Sequence, residues 1–327
     1  MVKFLARRLL NYLVLVFLAA SLAYGLAATA LHPRANYEER NPRPPVAAID
    51  ATLSALNLND KEPLLQRYGV WVAGVLRGDF GRTWEGDSIN EQMGRRMWVS
   101  VRLLFFGVVL GSVAGVLVGA YSGLRQYKPD DRAITVVSFV VLAMPTFVLG
   151  TALAIGATWL NRTLGVSFLS ITGESTPGLE GGFLVTLADR VGHLVVPTLT
   201  VALGQIAAYS RYQRSMMLDV LGQDYVRTAL AKGLRRRTAM LKHALRTALI
   251  PVATFFAYSF GLLLVGSTFT EKIFGWHGMG AWFVDSVTRQ DTNAVAAVSL
   301  FSAVLVLLAG LLSDVMYAAL DPRVRVS

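Results

Sequence analysis

Apolar residues run for about twenty positions or more in six places along this chain: 9–31, 100–122, 133–160, 191–210, 248–269 and 294–317. Each run approaches or exceeds the ~20 residues that a helix needs to cross a hydrocarbon core of about 30 Å. The pattern therefore predicts an all-α polytopic membrane protein with six transmembrane helices. Lys3, Arg7 and Arg8 precede the first run as in a signal peptide. That run is longer than the roughly 7–15 apolar residues of a signal sequence, so it reads as a retained span. The fourth run is the weakest, being short and carrying His193, Pro197 and Gln205, and Pro145 raises the same point in the third. Prolines and polar groups are tolerated in a span where neighbouring helices or a water-filled cavity satisfy the backbone.

Residues 32–98 break this rhythm. A proline-rich stretch, "NPRPPVAAID", precedes an amphipathic one in which Leu64, Leu65, Tyr68, Trp71, Val72 and Val75 fall on one helical face. That face is expected to pack on the spans. The membrane interface, which favours Trp and Tyr, is the other place for it.

Composition agrees with lipid as the solvent. Of 327 residues, 54% are hydrophobic and 16% charged, against roughly a quarter charged in soluble domains. There is no cysteine, which excludes disulfides and thiolate metal sites, and the four histidines have no metal-ligating spacing. The formal charge of +10 is explained by topology rather than by nucleic acid. The N-terminus, the 123–132 and 211–247 loops and the C-terminal tail together carry 17 Lys/Arg, while the short loops of the opposite side carry 4. Long segments count little in the positive-inside rule, so both termini are expected to be cytoplasmic. The expected divisions are 1–31 (N-terminus and first helix), 32–99 (extracytoplasmic segment), 100–317 (five-helix core, with the cytoplasmic loop 211–247) and 318–327 (cytoplasmic tail).

Ion-coupled carriers usually place ionisable groups deep in their spans. The central parts of spans three, five and six hold no Asp, Glu, Lys or Arg, which argues against a proton- or sodium-coupled secondary transporter. No nucleophile–base or metal constellation supports an embedded enzyme. The phosphate-cradling G-x-x-x-x-G-K-[ST] loop is missing as well. Any ATP-derived energy has to come from another chain.

The most basic part of the chain is "DYVRTALAKGLRRRTAMLKHALRTALIPV", Asp224 to Val252. Asp224 suits an N-cap or the first turn of a helix. Thr228, Ala229 and Ala231 leave a smooth surface, and Gly233 suits the left-handed position that ends a helix. Arg235, Arg236 and Arg237 start a second segment that leads to Pro251. Two uses fit this helix–glycine–helix: a lever docked to another protein, or an amphipathic anchor on anionic lipid.

The loop resembles the EAA motif of permease subunits of type I ATP-binding-cassette importers, Glu-Ala-Ala, three residues, Gly, nine residues, Ile-x-Leu-Pro. Anchored on Gly233, the triplet falls on Arg227, Thr228 and Ala229, and His243, Ala244, Leu245 and Arg246 take the final positions. The glutamate and the proline are absent, as in the oligopeptide/dipeptide branch. "RRLL", "YGVWVAGVLRGDFGRTW", "GVLVGAYSG", "AMPTFVLG", "EKIFGWHGMG" and "YAALDPRVRVS" resemble B-type permeases of that branch in the same order. His277 stands where the family usually has proline.

The resemblance implies a pore in a bacterial plasma (inner) membrane, formed with a second homologous permease and working by alternating access. Two ATPase subunits, or one fused ATPase chain, would bind ATP and Mg2+, with no cofactor in this chain. An extracytoplasmic solute-binding protein would deliver an oligopeptide or dipeptide, although nickel and glutathione importers share the pattern. Asp224, Tyr225, Arg227, Thr228, Ala229, Lys232, Gly233 and His243 become the ATPase-coupling candidates. Thr146, Gln205, Tyr209 and Ser259 are candidates to line the pathway, although packing or interhelical hydrogen bonding explains each of them too. Glu271, Phe274, Gly275, Trp276, Gly278 and Gly280 are candidates for binding-protein docking, with a capping role for Glu271 and a lipid-interface role for Trp276 as the alternatives.

Overall fold

The computed structural model describes residues 2–239 and 244–320; the side chains at 2–6, 236–237, 253, 257–266 and 318 lie outside that description. Among the described residues the regular structure is helical. In chain order the helices are Val2–Ala30 (α1), Ala35–Glu38 (α2), Val46–Ala55 (α3), Leu64–Leu76 (α4), Ile89–Leu124 (α5), Pro129–Ala143 (α6) and Thr146–Leu164 (α7). There follow Phe183–Leu221 (α8), Asp224–Ala231 (α9), Arg236–Ala239 (α10), Leu245–Ala248 (α11), Ile250–Ile273 (α12), Met279–Thr288 (α13) and Thr292–Leu320 (α14).

Four helices, α1, α5, α8 and α14, are long and apolar enough to cross a membrane, and the bent pair α6–α7 brings the total up to five among the described residues. The chain is an all-α polytopic membrane protein. The fifth expected span, 248–269, corresponds to α12, much of whose side-chain content is outside the description.

The third expected span, 133–160, is not one straight helix. It breaks between α6 and α7 with a bend of 109°. Pro145 has no N–H, and its ring forces the preceding residue out of the helical region. Met144 accordingly sits at φ −85°, ψ 126°, and Pro145 becomes the N-cap of α7. Pro197 has no such effect, and α8 runs through it for 39 residues. The helix also continues past the expected end at residue 210, so residues 211–221 of the expected loop are helical.

The chain forms two compact units, one made of 1–100 with 277–307 and the other of 101–276 with 308–327. In the first, the 32–98 segment is folded. Tyr24 stacks on Trp71 with ring centroids 4.8 Å apart, and both join a cluster with Ala20 and Ala296, flanked by Tyr68, Val72 and Val75. Ser21 and Tyr68 share a 2.6 Å hydrogen bond. The amphipathic face of α4 thus packs on α1 and α14 through Tyr68, Trp71, Val72 and Val75, as expected of it, but Leu64 and Leu65 at the start of the helix are exposed. A second cluster, Tyr37, Ile49, Leu53 and Leu58, packs with Trp84, and Arg34 ties the segment by ion pairs to Asp50 and Asp60. The Arg34 and Lys61 cations hold the Asp50 and Asp60 carboxyls below their ordinary range.

The second unit is organised by a feature of α5. Gly107, Gly111, Gly115, Gly119 and Gly123 recur every fourth residue and so share one helical face. A Cβ at these positions would meet atoms of Val201, Gln205, Tyr209, Ser210 and Met217 on α8 at 2.6, 2.5, 2.5, 2.4 and 2.8 Å. In lipid, helices associate through close packing of small residues rather than by the hydrophobic effect. This ladder brings the two backbones together along four turns.

Candidate functional site

The basic loop forms a short helix suspended from the end of α8. Gln223 occupies the N-cap of α9 without a side-chain cap bond, so Asp224 is the first-turn acid and not the cap. Asp224 is 98% exposed and 3.8 Å from Arg227, a pair that contributes little to stability in water. Thr228 Oγ1 donates to the Asp224 carbonyl at 2.8 Å. Val226 and Ala229 are buried on the inward side of α9. Val226 joins a cluster with Ala120, Met217, Ala244 and Ala248. Ala229 lies three residues further on the same stripe, so it belongs to the inward seam and not to an outward smooth surface. Tyr225, Arg227, Thr228 and Lys232 remain exposed.

Gly233 ends the helix as its sequence position predicts. Its φ is +84°. Its N–H donates to Leu230 at 3.0 Å, and the Leu234 N–H donates to Ala229 at 3.3 Å. These are the two bonds of a Schellman cap, which satisfy terminal carbonyls that would otherwise be unpaired. His243 lies outside the described residues.

Ahead of α9, Arg214 of α8 takes part in a buried ion pair with α6. Asp131, 2% exposed at the start of α6, accepts the Arg214 guanidinium through both oxygens at 2.7 and 2.8 Å. It also accepts the Ser122 hydroxyl at 2.5 Å and the Tyr127 N–H at 2.8 Å. Sequence reasoning missed this cluster, because the two charges are 83 positions apart and nothing local signals the pairing.

Of the pathway candidates, Gln205 and Tyr209 share the face of α8 that meets α5, and Thr146 lies on α7. Tyr209 is buried, its ring edge-on to Phe255 at 5.0 Å, and it faces the Gly115 rung of α5. Gln205 faces Gly111, and its buried Oε1 has no hydrogen-bond partner among the described residues. Thr146 is half-buried in the first turn of α7, beside the bend. Ser259 falls within α12, but its side chain lies outside the described residues.

The turn after α12 is closed by Gly275 at φ +62°, with the Trp276 N–H donating to the Glu271 carbonyl at 2.8 Å. The Glu271 carbonyl thus does a capping job. Its side chain is fully buried, and Phe274 and Trp276 are 1% and 3% exposed. The Gly173 N–H donates to the Phe274 carbonyl at 2.7 Å, and the Arg102 cation lies 5.9 Å over the Trp276 ring while pairing with Glu174. The two aromatic rings therefore anchor the turn to its own unit and leave Lys272 exposed; His277, which begins the stretch in the other unit, is exposed there. In the other unit, Gly278 is the buried N-cap of α13 and Gly280 is half-buried in its first turn.

Residues 111–326 match the family described as "Binding-protein-dependent transport system inner membrane component". The chain belongs to that family. The match takes in α9, the Asp131–Arg214 pair and the turn after α12, and begins at the second rung of the glycine ladder. Over all 327 residues of both chains, this permease is 54% identical to the oligopeptide transport system permease protein OppB of Mycobacterium tuberculosis (strain H37Rv). It is 34% identical to the oligopeptide transport system permease protein AppB of Bacillus subtilis over 278 residues, 81% of this chain and 85% of the relative. The dipeptide transport system permease protein DppB of Escherichia coli K12 is 32% identical over 278 residues, 81% and 82% of the two chains. The folded 32–98 segment lies outside the family match but inside the full-length one.

Proposed function

We propose that this permease forms, with a second homologous permease, the membrane pathway of an ATP-driven importer for oligopeptides or dipeptides. The observation that carries this reading is the 54% identity along the full length to an oligopeptide permease. In this reading the two termini and the α9 lever face the cytoplasm, the 32–99 segment faces outward, and 100–317 is the transport core. ATP and Mg2+ bind to partner ATPase subunits, and a solute-binding protein delivers the peptide from outside.

The lever's geometry supports ATPase docking through Tyr225, Arg227, Thr228 and Lys232, which are exposed on a helix fixed at both ends. Asp224 and Gly233 shape that helix, and Ala229 seats it. Binding-protein docking around Glu271–Gly280 is supported by the exposed Lys272 in one unit, where Phe274 and Trp276 hold the turn from within, and separately by the exposed His277 in the other.

Reconstitution tests the proposal. Vesicles containing this chain, its partner permease, the ATPases and the binding protein should accumulate a labelled tripeptide or pentapeptide only when ATP is supplied inside. The chain alone should neither hydrolyse ATP nor concentrate peptide under a proton or sodium gradient. Gradient-driven uptake by the isolated chain would replace this reading with a secondary carrier.

A further inference from the structure

Resting on the coupling reading of α9, we propose that Asp131 and Arg214 are positioning residues that clamp the root of the lever, so that force on α9 reaches the transmembrane helices instead of flexing the loop. Three elements converge on one buried carboxylate. Ser122 comes from the end of α5, the Tyr127 N–H from the following turn, and Arg214 from α8. Tyr127 holds φ +65°, a region that costs a non-glycine residue free energy and persists only where surroundings enforce it. In that conformation its N–H meets Asp131. Three residues beyond Arg214, Met217 is buried against Val226 of α9. The clamp and the lever's seat therefore lie within one turn of α8.

Stability alone is a weak explanation for the pair. Burying a carboxylate and a guanidinium carries a desolvation penalty that offsets much of their attraction, whereas fixed geometry and register are what a bidentate pair supplies. Arg214 Nε and a terminal nitrogen each reach a different Asp131 oxygen, which fixes the rotation of α8 about its own axis as well as its distance from α6.

The experiment uses the assembled transporter in proteoliposomes, with the partner permease, ATPases and binding protein present and a tritiated tripeptide as the probe. Peptide transported per ATP hydrolysed is the readout. Asp131→Asn should assemble and hydrolyse ATP while that ratio falls about tenfold, within the range of mutations that alter coupling between sites. Arg214→Lys, which keeps the charge, should retain more of the ratio than Asp131→Asn. The chain has no native cysteine, so Asp131→Cys with Arg214→Cys permits a clean rescue. The ratio should be low in the reduced pair and recover when a short bis-thiol crosslinker joins the two. An unchanged ratio in Asp131→Asn overturns the clamp, and so does a crosslinked pair that fails to recover. Should Asp131→Asn fail to assemble, the crosslinked pair decides the matter. Gly233→Val separates the two ideas. If it abolishes uptake while Asp131→Asn leaves the ratio intact, only the clamp is wrong; if Gly233→Val is also silent, the coupling reading falls with it.

Discussion

Gly233 and Gly275 end their helices with the same pair of hydrogen bonds and the same positive φ, yet the residues around them serve opposite purposes. At the end of α9 the neighbours point outward: Tyr225 is 44% exposed, and Arg227 and Lys232 are exposed with it. At the end of α12 the neighbours point inward, with Glu271, Phe274 and Trp276 all buried. One cap presents a surface and the other closes a core. A capping signature therefore locates a helix end, and the burial of the flanking side chains shows whether that end is a handle or a plug.

The contrast is open to direct attack. The largest effect is expected at the plug: Phe274→Ala should destabilise the protein by about 3–5 kcal/mol through cavity formation, read as a lower unfolding temperature in detergent. If its unfolding temperature is that of the parent, Phe274 does not hold a core. Next is Asp291, which is buried at the head of α14 and accepts the N–H groups of Trp84 and Ala294. Burial pushes its carboxyl up to about 6 from 3.8, against the lowering effect of those N–H bonds. The folded state thus holds this proton more tightly than the unfolded one. Its contribution to stability is full below about pH 4 and is lost as pH rises through 6, a change of up to about 3 kcal/mol. Asp291→Asn should flatten the stability–pH curve between pH 4 and 7; a curve that keeps its parental slope would reject the assignment.

Smaller effects follow at the glycines. Gly275→Val and Gly233→Val should each lose about 1–2 kcal/mol by placing a branched residue in the left-handed region. Gly275→Val should be the worse for stability, because Thr172 and Gly173 lie within 3.5 and 3.6 Å of the new Cβ, whereas Gly233 faces open space. Uptake should show the reverse order, with Gly233→Val the more damaging. The smallest change in stability belongs to Tyr225→Ala, within about 0.5 kcal/mol as for an ordinary surface substitution. Its uptake should nevertheless fall. Normal uptake by that variant would remove Tyr225 from the docking face.

How legible these regions were differs with the range of the forces involved. Gly233, the packed face of α4 and the apolar runs could be read directly, because local propensity and periodicity decide them. Pro145 was visible as an interruption, but the 109° break it permits depends on what α6 and α7 pack against. The burial of Phe274 and Trp276 was not legible, since an aromatic beside glycines suits a surface turn and a closed one equally. Asp131 and Arg214 were invisible for the same reason: only folding brings positions 83 apart into contact. The glycine ladder is the instructive miss. Its spacing of four is plain in "FFGVVLGSVAGVLVGAYSG", and a search for small residues at helical intervals would have found it.

The ladder also has a mechanical consequence. Five rungs from Gly107 to Gly123 weld α5 to α8 over about 24 Å at the helical rise per residue. Backbones in such close contact cannot slide or roll without collision, so the pair behaves as a stiff beam. Spin labels on neighbouring residues of α5 and α8 should keep one fixed separation throughout a transport cycle. Whatever bends while solute passes must bend elsewhere, and a beam that ends at Met217 would carry its displacement as far as the cluster that also holds Val226 of α9.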